Sequence, residues 1–334
     1  MIKRFGLSRG VSPREKFSKV AELAKMTEDH GFENLWFIDH QLGMKDVYAA
    51  MYVAALETKR IEIGSAVTNL QTRHPTVTAN ATTALDDMSD GRALLGLGAG
   101  WVALHSINKR PSKIAELREG IADFRKLFSG EEIELYGTEL QLATARRQIP
   151  IYLAVSQPNM LRLAGEICDG AILMGAADPE FCEWQLKYIY EGLEKAGRKR
   201  SDITIDIIIT LSVDENERNA INDVAAWATS QAAQFDQWKL IPEGWKRFSG
   251  EFKSAVESYH FKEHLSLRAE HKQVVSDEFV QSVAIAGDMD TCVERLRSVC
   301  ELDIDRISFA LLSGGRERRI KELANEIIPR ATAE

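Results

Sequence analysis

The chain has 334 residues, 45% of them apolar and 28% charged, with a formal net charge of −8 at pH 7. That balance argues against a general nucleic-acid surface and against docking on anionic membranes, and no apolar run approaches the ~20 residues of a membrane-spanning helix. MIKRFGLSRG lacks the apolar core of a signal peptide, and Cys168, Cys182, Cys292 and Cys300 show no metal-ligand spacing, so a reduced, cytoplasmic enzyme without structural disulfides is expected.

Strand-like and helix-like segments alternate along the chain. Lys3–Ser8 reads as a first strand, and a helix from about Pro13 to His30 stops at Gly31. Asn34–Asp39 is a second buried strand, and a helix through Val47–Glu57 leads to a third, Ile61–Val67. Pro75 suits an early helix position, Ala79–Met88 supplies a small-residue helix, and Asp90–Gly91 turns into strand four, Ala93–Leu97. After a helix near Ser112–Phe128, Glu131–Leu142 reads as a small hairpin before strand five, Pro150–Ala154. A helix over Asn159–Ile167, strand six at Gly170–Met174, a helix over Glu180–Ala196 and strand seven at Ile203–Val213 follow.

The alternation lapses from about Asn216 to Val280, a largely helical stretch too long for one crossover helix and containing Trp227, Trp238 and Trp245. Arg306–Leu312 is strand eight, and Glu317–Ile328 closes the chain. Eight βα repeats predict one α/β domain over residues 1–334: a (β/α)8 TIM barrel with an inserted helical segment, about 216–280, near the mouth and before the last strand.

Barrel chemistry sits at the C-terminal strand ends. Here those ends are Ser8, Asp39–His40, Thr68–Asn69, Gly98–Ala99–Gly100, Ser156–Gln157, Gly175 and Ser313–Gly314–Gly315. Asp39 and His40 pair an acid with an imidazole, suited to binding and protonating a ligand; the alternative is a helix cap beside a packing histidine. Gly98–Ala99–Gly100 lacks dinucleotide-fingerprint spacing and an immediate following helix, so it reads as a close approach to a planar ring or as a plain turn. Ser313–Gly314–Gly315, with Arg316, suits an anion or a simple glycine turn. Ser156–Gln157 precedes a helix and either reaches a ligand or caps it. His74 and His105 are loop histidines. His260, His264 and His271 lack an accompanying carboxylate pattern and read as solvent-facing, so no metal site is expected. No nucleophile elbow, Walker loop or paired-cysteine site appears.

The segments GFENLWFIDH, GSAVTNLQTRHP, ALDDMSDGRALLGLGAG and IPIYLAVSQPNMLRLAGEICDGAILMG resemble the bacterial luciferase-like superfamily, with order and spacing kept over nearly the whole chain. Within it the resemblance is strongest to methylenetetrahydromethanopterin reductase and its relatives. The resemblance implies an eight-stranded barrel with an insertion before the last strand, and FMN or a deazaflavin (coenzyme F420) across the barrel top. It also implies a cis peptide at Ala66–Val67 backing the tricyclic ring. Asp39 and His40 match the family's acid and histidine near the ring, Thr68 and Asn69 flank its edge, and Gly98, Ala99 and Gly100 pass close to it. Ser156, Gln157 and Gly175 match positions near the ribityl chain and phosphate. Ser8 stands where the methanopterin reductases carry a glutamate.

Three readings follow from the resemblance. One is hydride transfer between F420 and a small organic substrate, with His40 or Asp39 managing the proton. Another is an FMNH2-dependent monooxygenase fed by a separate reductase. The third is a non-catalytic flavin-binding protein. Residues 101–110 and 216–280 would shape the substrate pocket, and their aromatic content points to an apolar or ring-containing molecule. Related barrels pair through helices two and three, so a homodimer using Ala49–Ala55 is expected.

Overall fold

Strands buried on both faces need helices on each side, and a closed parallel barrel supplies that cover. The computed structural model describes residues 3–174, 176–258, 274–311 and 315–333. Its strands begin with β1 (Arg4–Arg9), β2 (Asn34–Phe37), β3 (Glu62–Ser65) and β4 (Ala93–Leu97), followed by a peripheral hairpin of β5 (Ile133–Leu135) and β6 (Thr138–Leu140). Next come β7 (Ile151–Val155), β8 (Gly170–Leu173), β9 (Thr204–Val213), β10 (Ile285–Gly287) and β11 (Arg306–Ala310). Eight of them pair in parallel in the order β1-β2-β3-β4-β7-β8-β9-β11. The ring closes where β11 meets β1, with Arg306 beside Arg4 and Ala310 beside Ser8.

The helices follow the sequence expectation closely: α1 (Phe17–Asp29), α2 (Val47–Glu57), α3 (Pro75–Met88), α4 (Trp101–His105), α5 (Ile114–Ser129), α6 (Pro158–Ile167) and α7 (Pro179–Lys195). The insertion contributes α8 (Glu217–Phe235), α9 (Ser249–Ser258) and α10 (Asp277–Val283), and α11 (Met289–Cys300) and α12 (Arg316–Glu322) pack on the closing strands. Proline at the first turn starts α3, α6 and α7, where its missing N–H costs nothing. Asp46, Asp178 and Asp288 cap α2, α7 and α11 by accepting from the backbone N–H three residues on.

Three differences from the sequence reading have local causes. The third strand ends at Ser65, because the Ala66–Val67 peptide is cis and ladder pairing resumes only at Thr68, opposite Leu97. A one-and-a-half-turn helix, α4, does follow Gly100 directly; that residue sits at φ +86°, a conformation open to glycine. β10 extends the sheet at the far end of β9, pairing Ile285–Gly287 with Leu211–Val213, and three residues carry too little periodicity to announce a strand.

Side chains alternate in and out of the barrel, and the even-numbered positions of these strands point inward. At mid-height Trp36 and Tyr152 meet edge-to-face, ring centroids 5.3 Å apart, and plug the interior. Trp36 Nε1 donates to Asp206 Oδ2 at 2.8 Å, and Ser308 Oγ donates to the same oxygen at 3.0 Å. Arg306, fully buried, pairs with Glu62 and lies 3.9 Å from Asp206. Burial pushes the Asp206 carboxyl up to about 6 against the pull of the Arg306 guanidinium. The inserted helices form their own core, in which Phe181, Phe235, Trp245, Phe248, Phe252 and Phe279 interlock. Trp245 thus fills a satellite core.

Candidate active site

The inward positions at the C-terminal strand ends are Ser8, Gly98, Ala154 and Ala310, side chains too small to fill the barrel above Trp36 and Tyr152. A cavity of about 310 Å³ opens there, floored by these residues with Ile172 and Ile208. Its wall is formed by the ends of β2, β3, β4 and β7, and its roof by Trp101, Val102 and Ala103 of α4 and Trp227, Gln231 and Gln234 of α8. Both segments expected to shape the pocket therefore do so. The insertion is tied down at two points: Trp101 Nε1 donates to Gln237 Oε1 at 3.3 Å, and Gln157 Nε2 donates to the Leu240 carbonyl at 3.0 Å.

Asp39 and His40 follow β2 and both line the cavity. The Asp39 carboxylate is buried and heavily engaged. Oδ2 accepts from Thr68 Oγ1 at 2.7 Å and from Arg73 Nη1 at 2.5 Å, and Oδ1 accepts from Arg73 Nη2 at 3.3 Å. Arg73 lies over the Tyr48 ring, 5.1 Å from its centroid, and the opposed charges hold its guanidinium above its usual pKa despite desolvation. His40 is half-buried, and burial pulls its imidazole below the usual value while the Asp39 charge pulls the other way. Burial thus favours the neutral form of the imidazole, which lines the cavity together with an Asp39 side chain paired to Arg73.

The β3–β4 wall is built by close approach. A Cβ on Gly98 would lie 2.6 Å from Val67 Cγ2, and one on Gly96 would lie 1.9 Å from the Ser65 carbonyl oxygen, so only glycine lets β4 rise this close to the cis peptide. Ala66, Val67, Gly98, Ala99 and Gly100 all reach the cavity. Asn69 also lines it. Its Oδ1 accepts from the backbone N–H groups of Gln71 and Thr72, each at 2.9 Å, which turns its NH2 group away from that loop. Thr68 departs from the expected ring-edge role: it is fully buried behind the wall, with its hydroxyl spent on Asp39.

Ser156 and Gln157 stand at the cavity edge where β7 runs into α6. Gly175, Ser313, Gly314, His260, His264 and His271 lie outside the described residues. Of the anion candidate at the last βα turn, Arg316 pairs with Glu15 at 2.9 Å, and Glu15 also holds the buried Arg9. His74 caps α3 instead of facing the cavity. Sequence reasoning missed Arg73, which stands within the quoted TRHP segment, and the α8 face, whose Trp227, Gln231 and Gln234 recur at i, i+4 and i+7.

A cavity at the C-terminal mouth of a parallel barrel, walled by small residues and a cis peptide, defines a cofactor-binding barrel enzyme. The family model described as luciferase-like monooxygenase matches residues 3–306, and the chain belongs to this luciferase-like family of flavin- and F420-dependent oxidoreductases. The chain is 29% identical over 329 residues to 5,10-methylenetetrahydromethanopterin reductase of Methanolobus tindarius, covering 95% of this chain and 97% of that protein. It is 27% identical to the F420-dependent glucose-6-phosphate dehydrogenase of Nakamurella multipartita, covering 95% and 93%. The solved coenzyme F420-dependent tetrahydromethanopterin reductase of Methanopyrus kandleri shares the fold with a TM-score of 0.78 and 24% identity, over 99% of this chain and all of that one. Among the described residues, no helix is long and apolar enough to cross a membrane.

Proposed function

We propose that the protein transfers a hydride between coenzyme F420 and a small organic substrate. The observation that carries this reading is the cavity itself: the small residues Ala66, Val67, Gly98, Ala99 and Gly100 line it together with His40, in a chain related over 95% of its length to F420-dependent enzymes. A tricyclic ring needs an apolar slot with polar groups at its edge, and the residues fit. The β3–β4 wall would back the ring, the Asn69 NH2 would meet its edge, and Ser156 and Gln157 would lie toward the ribityl chain and phosphate.

Bound there, the deazaflavin supplies a carbon that accepts or donates hydride. His40 is placed to move the accompanying proton: a neutral imidazole accepts it from a substrate hydroxyl, and the imidazolium returns it in the reverse direction. The Asp39 charge favours the charged form of His40, while Arg73 and Thr68 hold the carboxylate. Trp227, Gln231 and Gln234 of α8 cover part of the cavity and would limit the access of water to a bound ring. Ser8 replaces the glutamate of the methanopterin reductases at the end of β1, so the pterin reaction is not the one proposed.

A cytoplasmic location, recycling of the cofactor by a separate F420 reductase, and a homodimer through α2 and α3 complete the proposal. Leu56 and Val77 on those helices are exposed apolar side chains, and sedimentation equilibrium reads the assembly. The function itself is tested by titrating purified protein with oxidised F420 and with FMN, following fluorescence. F420 binding far tighter than FMN supports the proposal. Tight binding of FMNH2 with oxygen consumption replaces it with the monooxygenase, and no binding of either points to a non-catalytic protein.

A further inference from the structure

We propose that Gly43 is a positioning residue for His40: a turn pinned at both ends packs against the imidazole there, and only the lack of a side chain at 43 lets the ring keep its place on the cavity wall. The consequence for the reaction rests on the reading of His40 as the group that moves the proton.

The chain leaves β2 through Asp39 and His40 and folds back at once. Gly43 and Met44 both donate their backbone N–H to the His40 carbonyl, at 3.1 and 2.9 Å, which closes a turn over residues 40–44. Gly43 thereby comes to lie against the Nδ1–Cε1 side of the imidazole. A Cβ built on Gly43 would stand 2.7 Å from His40 Cε1 and closer still to Nδ1, a separation that packed atoms do not tolerate. Gly43 does not take a positive φ, so the backbone itself accepts an ordinary residue. The ring is what excludes one.

How each side is held decides which one yields. At one end of the turn Gln41 Nε2 donates to the Ala103 carbonyl of α4 at 2.8 Å, and at the other the Lys45 N–H donates to the Val11 carbonyl beyond β1 at 2.9 Å. Met44 is wedged against the β1 exit as well, since a Cβ on Gly10 would lie 2.6 Å from Met44 Cε. The imidazole is half-buried and turns about its own χ angles. A methyl group at 43 therefore displaces the ring and not the turn. His40 and Met44 line the cavity and Gly43 does not, so position 43 acts on the cavity only through its neighbours.

Two-dimensional NMR of the imidazole groups, on the purified chain without cofactor or substrate, tests this, with His40 assigned by the signal missing from His40→Ala. In Gly43→Ala the His40 ring signals should move from their wild-type positions, while those of His30 and His74 stay. Urea unfolding closes a cycle. Gly43→Ala should lower the midpoint in wild type, and should leave it unchanged or raise it in the His40→Ala background, where the obstructing ring is gone. Where Gly43→Ala alone does not fold, the double variant should. Wild-type His40 signals in Gly43→Ala, an equal loss of midpoint in both backgrounds, or a double variant no better folded than Gly43→Ala would each overturn the proposal. Failure of the hydride-transfer reading shows instead in the F420 titration of wild type, and it leaves the outcome of this cycle untouched.

Discussion

Replacing Arg73 with methionine removes the cation that holds Asp39. The Asp39 side chain is 4% exposed and that of Arg73 18%, and their contacts at 2.5 and 3.3 Å place two hydrogen bonds on one carboxylate. Stripping one partner from a buried pair costs ~3–5 kcal/mol, because the surviving charge stays desolvated. Thr68 remains as a donor and water can reach the vacated guanidinium space, so the low end, about 3 kcal/mol, applies here. Urea unfolding reads this as a lower midpoint at constant slope. The second mutation decides the cause. Asp39→Asn removes the charge that Arg73→Met leaves uncompensated, so the double variant should be more stable than Arg73→Met alone. If the double variant is no more stable than Arg73→Met, the stranded carboxylate is not the source of the loss and the reasoning fails.

Three further outcomes follow from the same geometry. Gly98→Ala drives a Cβ to 2.6 Å from Val67 Cγ2, so it should cost ~1–3 kcal/mol and weaken F420 binding; unaltered affinity would mean the β3–β4 wall does not touch the ring. His40 should titrate by NMR with a midpoint below the usual 6.5, in a signal lost in His40→Asn, since burial disfavours its charge; a midpoint above 6.5 contradicts a desolvated imidazole. Asp206, at about 6 when folded and near 4 when unfolded, holds more protons in the native state across that window, so its contribution to stability is present below pH ~4 and lost as pH rises through 6. Stability of Asp206→Asn relative to wild type should therefore improve between pH 4 and 7, by up to about 3 kcal/mol, and a flat difference would place the carboxyl in a more polar setting.

The barrel was legible because each buried strand is a short apolar run between turn residues, and Lys3–Ser8, Asn34–Asp39, Ala93–Leu97 and Gly170–Met174 all fall on observed strands. The strand ends then named most of the cavity, since position alone puts Ser8, Asp39, His40, Asn69, Gly98 and Ser156 at the barrel mouth. The cis peptide came only through family resemblance; nothing in the composition of Ala66–Val67 announces it. Arg73 was hidden because its partner lies 34 positions away, and an ion pair between two loops leaves no periodic trace. Gln231 and Gln234 were obscured differently: glutamines in an alanine-rich helix read as surface positions until the helix is seen to line a cavity. Thr68 shows the reverse error, a strand-end hydroxyl assigned to a ligand and found holding Asp39.

The most direct test of the account is a crystal structure of the protein with oxidised F420. The deazaflavin ring should lie against Ala66–Val67 and the Gly98–Gly100 segment, with His40 on the cavity wall beside it. A ring bound elsewhere on the molecule, or FMN occupying this cavity from a mixture of the two cofactors, would contradict it.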